Sequence, residues 1–146
     1  MPMLHDPAYR SRLQARVRAL RPDSPRRWGK MSVDQMLWHV SDAMEVALGT
    51  RPAPVQKAPL PRPIMKFVVL NLPWPRGAPT MPMFLPRRSY EFTAERDRCL
   101  KLIDELSAKR LEDEWPDNPV FGKVHGRDVS RLHAKHLNHH LTQFGV

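Results

Sequence analysis

An all-α fold, a four-helix bundle with a long Pro-rich crossover between helices 2 and 3, is predicted by three features of this 146-residue sequence. Apolar residues recur every three or four positions in four separate stretches. Each stretch is bounded by residues that cap or stop helices, and a proline-dense segment divides the four into two pairs.

The first helix opens at Asp6, a side-chain cap, with Pro7 at the first helical position, where a missing N–H is not needed. Tyr9, Leu13, Val17 and Leu20 then fall on one side, and the helix ends before RPDSPRR. Ser32 and Gln35 match a capping box for the second helix, which carries Val33, Met36, Leu37, Val40, Met44 and Leu48 and stops at Gly49. From Thr50 to about Arg88 the chain holds most of its 16 prolines. Interior proline removes a hydrogen bond and clashes with the preceding turn, so this stretch cannot be one long helix. Within it, Arg62 to Leu72 is expected to form a short helix with Ile64, Phe67, Val68 and Leu72 against the bundle. Thr93 is the expected cap of the third main helix, with Cys99, Leu100, Ile103 and Leu106 inward. After the turn-rich DNPVFGKVHG, the last helix runs from about Arg127 to Phe144, with Gly145 just past its end. Two antiparallel pairs joined by a long connection are a standard bundle topology.

At this length the chain reads as a single domain, since either half alone would bury its apolar face poorly. Hydrophobic residues at 41% and charged ones at 27% are those of a folded protein rather than a disordered one. The longest apolar runs, such as Ile64 to Leu72, are broken by Lys66 and Asn71 and fall short of the roughly 20 residues that span a bilayer, so no membrane partner is expected. MPMLHDPAYR has no apolar signal region, which makes the cytoplasm the expected location. The lone Cys99 excludes an internal disulfide and a multi-cysteine zinc site. The formal charge of +9 would suit nucleic acid, but the arginines are scattered and no groove-reading motif accompanies them, so that reading stands as an alternative only.

Five of the seven histidines lie in the last 22 residues, four of them in HAKHLNHH on the last helix. His136 and His140 are four positions apart, so they stack on one helical face and can share an ion. Leu132 and Phe144 continue that stripe, while His139 sits about 100° away and is expected to face outward. A catalytic zinc takes three protein ligands and keeps one position open, so a third must come from elsewhere. His39, the only histidine on any main helix other than the last, is the candidate, although a lone helical histidine is more often packed in a core. His133, one turn before His136, could replace a member of the trio and is the main rival assignment, with His139 a further one; His5 and His125 read as bystanders.

RWGKMSVDQMLWHVSDAMEVALG, the central PWPRGAPT and the terminal FGKVHGRD and KHLNHHLTQFGV together resemble the DinB-like superfamily of metalloproteins, and within it a bacterial branch of domains of unknown function. The resemblance covers about residues 5 to 146 and is most specific in the two histidine segments. It implies a four-helix bundle with a long crossover. It further implies a metal held by one histidine late in the second helix and two on the last, which correspond to His39, His136 and His140. Some members are S-transferases that use a low-molecular-weight thiol.

Three neutral imidazoles leave a divalent ion, zinc or nickel, with its full charge, enough to activate a thiol or a water at neutral pH. A small-molecule substrate is the expected partner, and a homodimer is compatible with the sequence. Ligating histidines usually donate their second nitrogen to an oxygen nearby, for which Gln35, Asp42 and Gln143 have suitable spacing. Trp38, Trp74 and Phe84 could line a pocket mouth, though aromatics in a bundle mostly fill the core. A bundle whose histidines serve stability alone is the non-catalytic alternative.

Overall fold

A computed structural model describes all residues from Met1 to Val146. Five α-helices form, α1 (Pro7–Ala19), α2 (Val33–Leu48), α3 (Arg62–Asn71), α4 (Phe92–Ala108) and α5 (Gly126–Gln143), with one 3₁₀ turn at Pro82–Phe84. There is no β-strand, only an isolated bridge between Asn118 and Gly122. The all-helical class holds; five helices form rather than a plain four-helix bundle, the fifth being the short crossover helix expected over Arg62 to Leu72.

The local signals explain most of the helix ends. Asp6 accepts hydrogen bonds from the N–H groups of Ala8 and Tyr9, and Pro7 occupies the first turn. Gln35 accepts from the Ser32 N–H at 3.1 Å, and Gly49 adopts φ 82°, the left-handed value that ends α2 without a side-chain clash. The expected cap at Thr93 is corrected. Glu91 is the N-cap of α4, its carboxylate accepting from the Ala94 N–H, so Thr93 lies inside the first turn. A carboxylate there also meets the positive end of the helix dipole.

One contiguous core joins α1, α2, α4 and α5 through Leu13, Val17, Met36, Leu37, Val40, Met44, Ile103, Leu106, Leu137 and Leu141, all almost fully buried. On α4, Cys99, Ile103 and Leu106 are buried as expected and Leu102 joins them, while Leu100 is only partly covered.

The face of α3 is also corrected. Ile64, Phe67 and Leu72, expected to pack, are 48%, 59% and 45% exposed, and Leu70 with partly buried Met65 and Val69 turns inward instead. Polar contacts to α5 set this orientation. Lys66 pairs with Asp128 at 2.7 Å, Lys135 donates to the carbonyls of Val69 and Leu72, and Arg131 donates to Asn71. The Lys135 bonds satisfy carbonyls that the end of α3 leaves open. No helix is long and apolar enough to cross a membrane.

Candidate metal centre

Helix α2 presents His39 toward α5, where His136 and His140 lie one turn apart on the same face. A ring nitrogen of each lies within 4.8 Å of those of the other two, and the ring centroids are 4.8 to 4.9 Å apart. His39 and His140 are buried and His136 partly so. His133 is not among the convergent nitrogens; it is buried a turn away, its Nδ1 without a hydrogen-bond partner. His139 is not turned fully outward as expected, but is half-covered between Trp28 and Trp74, with ring centroids at 5.7 and 5.5 Å.

Hydrogen bonds fix which nitrogen of each ring is free. His39 Nδ1 lies 2.9 Å from the Phe84 carbonyl oxygen, which can only accept, so Nδ1 carries the proton and Nε2 keeps its lone pair. Gln143 Nε2 donates to the Trp28 carbonyl at 2.9 Å, which turns the amide oxygen of Gln143 toward His140 Nδ1 at 2.7 Å. His140 is therefore protonated at Nδ1 and also offers Nε2. His39 Nε2 lies 2.9 Å from His136 Nε2, near the ~3.3 Å that separates two nitrogens on one tetrahedral zinc with bonds of about 2.0 Å. The donor set fits a divalent ion with a small outward shift of the rings.

Burial is the main reason these rings stay neutral. It pushes His39 below the usual histidine range, against the pull of the Phe84 carbonyl and of Asp42, with His139 adding a little in the same direction as burial. His140 is pushed down to about 3 by burial and then by His39, with Gln143 pulling the other way. His136 falls well below the usual value through burial and its histidine neighbours. Neutral imidazoles are the form that binds metal.

Of the three expected supporting residues, the structure brings only Gln143 to a ring nitrogen. Gln35 bonds the Ser32 N–H and, through Nε2, the Arg88 carbonyl at 3.0 Å. Asp42 is buried between Arg51 and Arg98, each donating to one of its carboxylate oxygens. Arg98 also pairs with Glu45 at 2.7 Å and Glu95 at 3.0 Å. Burial opposes the charge on Arg98, but the bonds to Asp42, Glu45 and Glu95 outweigh it, and its pKa is raised. Phe84 is buried against His39 and Trp74 stands 5.8 Å from His136, whereas Trp38 faces a separate cleft. Cys99 is fully buried, which pushes its thiol up to about 12 and removes it as a nucleophile at neutral pH.

Sequence reasoning missed the two carbonyls that set the tautomers, from Phe84 and Trp28, because a main-chain acceptor leaves no mark in residue type. It also set His5 aside. That ring bridges Ser130 Oγ at 2.8 Å and the Lys109 carbonyl at 2.7 Å, tying the start of the chain to α4 and α5.

An all-helical fold with three imidazoles converging from two helices defines a helical protein with a histidine triad able to hold a metal. The family model of the DinB superfamily matches residues 8–144, and the chain belongs to that superfamily. Comparison with curated proteins and with solved structures gave no match.

Proposed function

We propose that His39, His136 and His140 hold one divalent ion, zinc or nickel, and that the protein is a metal-dependent enzyme acting on a small molecule. The observation that carries this reading is the pair of Nδ1–H bonds, to the Phe84 carbonyl and the Gln143 amide oxygen, that leave the Nε2 lone pairs of His39 and His140 available within a cluster whose ring nitrogens lie within 4.8 Å of one another. When bound, the ion supplies Lewis-acid chemistry that lowers the pKa of a thiol or water brought to it. The chain's own residues hold the protons at the two Nδ1 atoms, and Phe84 and Trp74 keep solvent from the rings. Superfamily membership favours thiol S-transfer over hydrolysis, with a low-molecular-weight thiol as co-substrate.

Elemental analysis of protein purified without an affinity tag tests the site. About one metal per chain is expected, falling sharply in His39→Ala and His140→Ala. Metal-free protein whose affinity for added zinc is unchanged by either substitution would overturn the reading.

A second reading, a metal site that serves stability alone, is favoured by one observation. His39 and His140 are buried and His136 is partly so, as in a site closed to substrate. Chelation would then lower the melting temperature while screens with thiols plus electrophiles, and with esters, stay blank.

A further inference from the structure

Beside Trp38 of α2, a cleft of about 340 Å³ lies between the helix and the segment that leads into α4, and none of the three histidines lines it. Its size is within the roughly 300–1,000 Å³ usual for small-molecule sites. Trp38 and Tyr90 stack there, with centroids 5.1 Å apart and ring planes 12° from parallel. The Arg88 guanidinium lies 4.8 Å over the Tyr90 ring and that of Arg51 lies 5.8 Å over Trp38. Arg87 is a third guanidinium on the wall, and Met83 and Leu85 give an apolar side.

The Arg51 guanidinium and the main chain of the cleft wall are held in place. Arg51 is fixed by the buried Asp42 and by the Met83 carbonyl at 3.0 Å. The Tyr90 N–H donates to Asp34 at 2.8 Å, and the Arg88 carbonyl accepts from Gln35 at 3.0 Å. Aromatic and cationic groups that are positioned in advance lose little freedom when a ligand arrives.

Arg87 and Arg88 carry the uncompensated charge. Neither forms an ion pair and no carboxylate lines the cleft, whereas Arg51 is paired with Asp42. Guanidinium groups in a concave surface with low-dielectric walls attract oxyanions and grip them through paired N–H groups. Met83 lines this cleft while the next residue, Phe84, turns its carbonyl to His39, so the two sites stand on opposite sides of one strap.

We propose that this cleft binds a small organic anion, its phosphate or carboxylate head on Arg87 and Arg88 and its apolar body against Met83 and Leu85. Nuclear magnetic resonance titration of the full ¹⁵N-labelled chain at low salt, with phenyl phosphate, benzoate and neutral phenol, tests it. Saturable shifts at the Trp38 indole and the Tyr90 amide are expected with at least one of the two anions and not with phenol, and the one that saturates identifies the head group. The exposed pair Arg87→Ala with Arg88→Ala should weaken that binding at least tenfold at an unchanged melting temperature. Absence of saturation, shifts spread equally over the basic surface of α1, or equal affinity in the double variant would overturn the proposal. Neither arginine touches a triad histidine, so the variant's metal content reports separately on the metal site.

Discussion

Gln143 accepts a hydrogen bond from His140 Nδ1 at 2.7 Å only because its amide nitrogen is engaged by the Trp28 carbonyl, 115 positions earlier in the chain. The loop before α2 thus decides the tautomer of a residue on α5. Replacing Gln143 by Leu removes the acceptor while keeping much of the volume. Metal affinity should fall by roughly 10- to 100-fold, the usual effect of losing such a partner, as measured by competition with a chelator. An unchanged affinity would show that Gln143 has no part in the site.

Gly29 tests the same connection from the other side. It adopts φ 81°, and a Cβ placed there would lie 2.6 Å from Gln143 Nε2. Gly29→Ala should cost about 1–3 kcal/mol of stability from backbone strain alone. It should also weaken metal binding, because Gln143 must move. Denaturant unfolding and metal titration separate the two effects, and full affinity in the variant would contradict the link.

Acid should weaken the metal-free protein in a defined window. Burial pushes His133 down to about 4, against an ordinary 6.5. Between these values the unfolded chain binds a proton that the folded one does not, so the stability due to neutral His133 is complete above pH 6.5 and declines as pH falls toward 4. The full loss is about 3 kcal/mol, at 1.36 kcal/mol for each pH unit. Below pH 4 it levels off. Denaturant unfolding between pH 4 and 7 should show a shallower slope in His133→Leu; an identical slope would mean the ring titrates normally.

Asp42 is expected to be structural. Asp42→Ala leaves Arg51 and Arg98 facing each other, at a cost of roughly 2–3 kcal/mol, less than for a fully buried pair because both arginines reach solvent. A melting curve checks the loss. Metal content of the folded variant should stay near wild type, since Asp42 bonds none of the histidines.

These residues also show what the sequence could carry. Caps at Asp6, Gln35 and Gly49 were legible because they act within one turn, and so was the His136 and His140 pair, whose meeting follows from helical spacing. His39 needed the fold, since α2 reaches α5 only through tertiary packing. The face of α3 was misjudged because Lys66, Lys135 and Arg131 rotate it through contacts to α5 that no local pattern encodes. Asp42 had the spacing of a histidine partner, yet two arginines from elsewhere in the chain took both its oxygens.

His39 and His136 stand 97 positions apart in the chain and 2.9 Å apart in the fold. An ion bound between them only in the folded state would therefore be a cross-link as well as a site for chemistry. Tying ends so far apart removes conformations from the unfolded chain, and the same closure by a disulfide over about 100 residues is worth about 4–5 kcal/mol. This chain has one cysteine, buried, and cannot make such a bridge with sulfur. Nitrogen ligands would give it a clasp that opens on chelation rather than reduction.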